Sequence, residues 1–163
     1  MKQKLCLILL LLSFIFHLDA QVDSYILKRQ NYKTPLTSIN ISPDGKSLLC
    51  GFNDGSFRIL DPGTFEEKLE VVKAHMKAVN AIDMPPKMDF ILTAGHNTIK
   101  LWDLNGKQLT HWSGHATTIW NAEFSHDGKQ AVSSAINKTF LLWDVYNGSI
   151  LERMRALMMC VCL

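Results

Sequence analysis

Charge of one sign is scarce in this 163-residue chain: 17 Lys and Arg stand against 15 Asp and Glu, a formal +2. No block of five or six like charges occurs, so there is no electrostatic footprint for nucleic acid or an anionic membrane. Cysteine is also sparse, with four in all. Cys160 and Cys162 sit two apart at the end and Cys50 lies in an apolar run, which is not the spacing of a disulfide framework. Cys50 is expected to be a small buried hydrophobe. No Gly-x-Ser-x-Gly, Gly-rich phosphate loop or convincing carboxylate pair is present, so the sequence offers no catalytic constellation and implies no cofactor. His111 and His115 are four apart, a zinc spacing on a helix, but they fall on a strand pattern and the loop after it. No metal site is expected.

Long apolar runs are limited to one. Leu5 to Phe16 is broken only by Ser13, follows Lys2 and Lys4, and gives way to Asp19-Ala20-Gln21. A basic start, an apolar core of about a dozen residues and a small residue at the boundary predict a secretory signal peptide over 1–20, cut after Ala20. The run is shorter than the roughly 20 residues that a membrane span needs. The remaining chain is then near neutral, secreted or periplasmic, and not held in a membrane.

What the sequence has is repetition. Gly114 to Asp144 opens on Gly114-His115, carries three short alternating runs and closes on Trp143-Asp144. The frame recurs upstream from Ala74-His75 to Trp102-Asp103, with the histidines 40 residues apart and the tryptophans 41. A weaker copy ends at Leu60-Asp61, 42 residues before Trp102-Asp103. A 40–45-residue period with these ends is the pattern of a four-stranded propeller blade. On those residues the chain resembles the WD-repeat β-propeller family. The resemblance implies an all-β fold, a partial β-propeller of about three four-stranded antiparallel blades.

Taken in order, Tyr25 to Lys28 has the register of an outer strand, Ile26 lying six residues before Tyr32 as Leu69 and Leu109 lie six before His75 and His115. The repeats span about 26–61, 69–103 and 109–144 within a domain of 21–157, and 149–154 forms the last outer strand. Ser42-Pro43-Asp44-Gly45, Asn53-Asp54-Gly55 and His126-Asp127-Gly128 are turns. Asn105-Gly106 and Asn147-Gly148 read as two-residue hairpins. Met84 to Asp89 lacks such a signal and is expected to be wider or irregular.

In this family a blade is often locked by the His of Gly-His, a Ser or Thr, an Asp and the Trp. Carried over, the resemblance implies His115, Ser133 and Trp143 in the third repeat, with Asn137 in the Asp place. The second offers His75, Thr93 and Trp102, with His96 in the Asp place. The first keeps Asp54 but has Tyr32, Cys50 and Leu60 for the others, so no blade has the full set. The resemblance also places partner contacts around the start of each inner strand, at Ala78, Asn80, Thr118 and Trp120.

The frame places a further Gly-His at Leu157, but 158–163 is an apolar tail and the chain stops. That predicts a propeller interrupted at its fourth repeat. Three blades leave two faces and several strand edges unmatched, so the isolated chain is expected to assemble with itself or another chain through open blade edges, or to be unstable. The terminal Cys160-Val161-Cys162-Leu163 fits a prenylation box, a cytosolic modification that an exported chain does not meet. Asn40, Asn137 and Asn147 head N-glycosylation sequons. The function expected is a non-catalytic scaffold for a protein or peptide partner, from a longer exported propeller protein. The alternative is the sensor or scaffold region of a larger exported enzyme whose catalytic domain lies elsewhere.

Overall fold

A computed structural model describes residues 33–156; the signal-like segment, the strand-like run at Tyr25–Lys28, Tyr32 and the tail from Leu157 lie outside the described residues. Twelve strands and no helix fill the described part. They form three antiparallel four-stranded sheets, each a meander of consecutive strands. The first blade is β1 (Leu36–Ile41), β2 (Leu48–Phe52), β3 (Phe57–Leu60) and β4 (Glu67–Val71). The second is β5 (Ala81–Asp83), β6 (Ile91–Gly95), β7 (Thr98–Trp102) and β8 (Gln108–Ser113). The third is β9 (Ile119–Phe124), β10 (Gln130–Ala135), β11 (Thr139–Asp144) and β12 (Ile150–Arg155).

The blades stack along their inner strands, β1 against β5 and β5 against β9. Two apolar cores lie between them. Leu49, Phe57 and Ile59 of the first blade meet Ile82, Ile91 and Trp102 of the second. Leu92, Ile99, Leu101 and Trp112 of the second meet Ile119, Ala122, Leu141 and Trp143 of the third. Trp112 and Trp143 stack across that seam at 5.6 Å between ring centres and 23° between planes. Burying apolar area is the dominant favourable contribution to folding, and here it is realised between blades rather than within one.

The turns explain most of the register. At Asp103, the Gly106 amide donates to the Asp103 carbonyl and only Gly106 has a positive φ, 81°. Asn105-Gly106 is therefore not a two-residue hairpin: Leu104-Asn105-Gly106 is a three-residue loop ending in a left-handed glycine. Asn147-Gly148 likewise sits in a longer loop, closed by the Asp144 amide on the Ser149 carbonyl, with Gly148 at φ 70°. In both, the Asp before the loop holds it by accepting from a backbone amide, so the chain needs no second left-handed residue. The Met84–Asp89 connection is irregular, with Met88 at φ 53° and its amide on the Pro85 carbonyl.

Candidate functional site

The alternation of β6 and β10 sends Thr93 and Ser133 into the seam on the preceding blade's side, where each is fully enclosed. In the second blade the Trp102 indole N–H donates to Thr93 Oγ1 at 2.7 Å, and His75 Nε2 lies 2.8 Å from the same oxygen. In the third, Trp143 donates to Ser133 Oγ at 2.7 Å and His115 Nε2 lies 2.7 Å from it. One hydroxyl thus satisfies two buried ring nitrogens in each blade, either of which would cost roughly 1–3 kcal/mol if left unpaired.

The fourth position differs between blades. Asn137 Oδ1 accepts from Thr139 Oγ1 at 2.7 Å, and Thr139 Oγ1 lies 3.2 Å from His115 Nδ1, so Asn137 reaches the histidine through Thr139. Asp54 makes the same bond with Ser56, at 2.6 Å, but Cys50 stands where a hydroxyl would continue the chain. In the second blade the loop is one residue shorter and His96 turns away, its Nδ1 2.8 Å from Asn97 Oδ1. His96 adopts φ 52° there and takes no part in the buried set. Thr139 is a member the family pattern did not point to; its signal is the Asn137-x-Thr139 spacing, which serves a turn as well as a sequon.

Burial, reinforced by the Lys100 charge, brings His75 down to about 4, against the opposing pull of backbone hydrogen bonds at Thr93 and Gly95. His115 is lowered too, by burial and then by Arg153. Both rings are neutral at pH 7. Each neutral imidazole is 4% exposed and ties the loop before its blade's inner strand to the hydroxyl that also takes the indole N–H of the third strand. Among the described residues no cluster of three His, Cys, Asp or Glu could hold a metal ion.

A second polar line crosses the blades. Asn40 Nδ2 donates to Asp83 Oδ1 at 2.9 Å, and Asp83 Oδ2 accepts the Phe124 amide at 2.8 Å. Burial raises the Asp83 carboxyl above its ordinary value, against the amides of Phe124 and Met84, while Glu123 adds to the rise. Thr37 and Ser38 donate to the Val79 carbonyl at 2.7 and 2.9 Å, which fixes the first blade to the second.

On the rim where the inner strands begin, a groove of about 430 Å³ brings Ala78, Asn80 and Thr118 together with Asn53, Met76, Lys77 and His96. Asn80 is held there by its own side chain, whose Nδ2 donates to the Ile119 carbonyl at 2.7 Å. Met76 stands almost fully free, at 99% exposure, and nothing in the repeat pattern signals it. Trp120 is outside the groove lining but 64% exposed. It occupies the irregular step of β9, where Asn121 pairs Ser134 and Ile119 pairs Ala135, so a bulge aims the indole outward. On the opposite rim a groove of about 620 Å³ runs between the second and third blades, past Pro85, Phe90, Leu109 and Tyr146.

Comparison with known proteins agrees with this geometry. The family model described as WD domain, G-beta repeat matches residues 24–61, 66–103 and 106–144. The chain is 22% identical over 132 residues to polyadenylation factor subunit 2 of Candida albicans, covering 80% of this chain and 24% of that one. It is 30% identical over 125 residues to nuclear distribution protein PAC1 of Coccidioides posadasii, covering 64% and 26%. The chain thus spans about a quarter of the length of these relatives. The solved WD40 repeats of RRP9 superpose with a TM-score of 0.73 at 15% identity, over 78% of this chain and 40% of that one, which speaks for the fold alone.

Proposed function

The chain belongs to the WD domain, G-beta repeat family, and from that premise we propose that it is a non-catalytic scaffold which binds a protein or peptide partner on the rim at the inner-strand starts. The observation that carries this reading is the pairing of a half-polar groove with two protruding apolar side chains, Met76 and Trp120. An exposed Trp, and a Met that can repack against different surfaces, are typical interface anchors. Asn80, Lys77 and Thr118 supply donors around them. The buried His–Thr–Trp and His–Ser–Trp sets belong to the scaffold in this reading, and no catalytic, cofactor or metal role is assigned to any residue.

Export is part of the proposal: residues 1–20 act as a signal, and the chain is a portion of a longer exported protein. The basic start and the apolar run support the first, and the quarter-length span of the relatives supports the second. Val132, 43% exposed where its counterpart Leu92 is fully enclosed, supports self-association of this chain through an open blade edge.

Photo-crosslinking tests the rim. A photoreactive side chain at Thr118 should capture a partner that the same group at Tyr146, on the opposite rim, does not. Binding of that partner to purified chain should weaken at least tenfold in Trp120→Ala or Met76→Ala. Capture from Tyr146 alone, or unchanged affinity in both variants, would sink the proposal. N-terminal sequencing of protein from the extracellular fraction should begin at Gln21; a chain retained in cells with Met1 intact would remove the export claim.

A further inference from the structure

The two rims of this near-neutral chain do not share its charges evenly. Strand direction alternates, so the loops on the rim at the inner-strand starts are residues 33–35, 53–56, 72–80, 96–97, 114–118 and 136–138. Their cations are Lys33, Lys73, Lys77 and Lys138, all exposed, and Asp54 is the carboxylate among them. Asp54 Oδ1 is occupied within its own turn, accepting the Ser56 amide at 3.0 Å and the Ser56 hydroxyl at 2.6 Å. On the opposite rim each connecting loop carries an aspartate, so Lys46, Lys107 and Lys129 all follow a carboxylate in the same turn. Among the described residues the ion pairs run from Arg58 to Glu67 and Glu70 and from Lys68 to Asp61. No lysine of the inner-start rim takes part in them.

Lys77 is the cation best placed to meet a partner. It lines the groove of about 430 Å³ next to Met76, in the loop that joins the first blade to the second, so described chain bounds it on both sides. A Cβ on Gly55 would lie 3.0 Å from the Lys77 carbonyl, which sets this loop against the first blade's turn. At the third blade the Thr118 carbonyl accepts the Ile136 amide, and so holds the turn that carries Lys138 to the groove lining. Met76, Trp120 and Ile136 are large, apolar and exposed on the same rim.

We propose that the partner segment is acidic: a short peptide whose Asp and Glu side chains face Lys77 and Lys138 while one large apolar side chain packs on Met76. This rests on the reading that a partner binds this rim, and it names that partner's chemistry. Complementary charge steers the encounter and selects against basic segments, whereas the apolar contact holds the complex. The rim loops contain no arginine, the side chain suited to bidentate phosphate, so a carboxylate-bearing peptide fits them better than a nucleic acid.

Selection from a displayed library of random peptides on the whole 163-residue chain is the test. Recovered peptides should be enriched in Asp and Glu and carry a large apolar residue, and a photoreactive group at Thr118 should capture them. For such a peptide, Lys77→Glu should weaken binding by about tenfold or more, while Lys107→Glu, in an opposite-rim loop, should leave it within about twofold. Raising salt from about 0.1 M to about 1 M cuts the screening length from about 10 Å to about 3 Å and should weaken binding as well. Both lysines are exposed, circular dichroism checks that each variant is folded, and Lys77→Gln replaces Lys77→Glu if that one is not. Neutral or basic peptides captured at Thr118 leave the rim reading standing and overturn its acidic partner, as do equal losses in the Lys77 and Lys107 variants. Peptides captured at Tyr146 and not at Thr118 overturn both. A single-stranded oligonucleotide that displaces the bound peptide at a lower concentration than the free peptide does makes the ligand a nucleic acid and overturns the inference, and so does a library that yields no binder.

Discussion

Asn40 and Asp83 hold the same place on successive inner strands, and the amide of the first donates to the carboxylate of the second across the blade boundary at 2.9 Å. Asp83 then takes the Phe124 amide of the third blade. One half-buried carboxylate thus ties three sheets. Asp83→Ala removes the acceptor from both donors and should cost about 1–3 kcal/mol in urea unfolding. Asp83→Asn keeps an oxygen acceptor and should cost less than Asp83→Ala. Equal losses in the two would show that the cross-blade bonds do not matter.

Thr93→Val keeps the shape of the side chain while stripping the hydroxyl from the Trp102 indole and His75. A loss of about 1–3 kcal/mol is expected, with Ser133→Ala similar in the third blade. Thr93→Ser keeps the hydroxyl and should cost less than Thr93→Val. The check is the denaturant midpoint at constant slope.

Acid should weaken the fold in two stages. His75 is neutral in the fold with its value down at about 4, whereas the unfolded chain takes that proton near 6.5. The unfolded state therefore binds more protons between pH 6.5 and 4, so stability falls as pH drops through that window, by up to about 3 kcal/mol for this residue. His115, also lowered, adds in the same sense. Asp83 acts oppositely, because its raised value makes protonation easier in the fold. Below 3.8 the turn carboxylates Asp44, Asp54, Asp61 and Asp127, all lowered by hydrogen bonds, begin a second loss. Midpoints measured at pH 7.5 and 5.0 should differ, and His75→Gln should shrink the difference. An unchanged midpoint would contradict the assignment.

Gly55 carries φ +83°, and a Cβ there would meet the His75 carbonyl at 2.1 Å. Gly55→Ala should destabilise by more than about 1 kcal/mol, since it adds both backbone strain and a clash with main chain. Gly45→Ala, at a positive φ but with open space around it, is the milder comparison.

The blade meander was legible because its marks are local. Gly45, Gly55 and Gly128 punctuate the chain, and the Trp102 and Trp143 spacing sets the period. Hairpin detail was less so: Asn105-Gly106 looks like a two-residue turn until Asp103 is seen capping a longer loop. What the sequence hid depends on how one blade is set against the next. Asn40 and Asp83 show no motif, and their bond exists only because β1 lies beside β5. Met76 is invisible for the same reason, being an ordinary apolar residue in a loop until the rim is assembled. At the site, His75, Thr93 and Trp102 meet because strand alternation puts them on one side, which pattern can anticipate. His96 departs because a loop one residue shorter changes where its side chain points, which pattern does not register.

Stacking, rather than any single sheet, is what holds these blades. Hydrogen exchange of Thr93→Val against the parent chain tests that most directly, read on peptides covering β2, β6 and β10. Protection should fall by a similar factor in all three, since the middle blade seals both cores. A loss confined to β6, with β2 and β10 exchanging as before, would mean that each blade stands by itself.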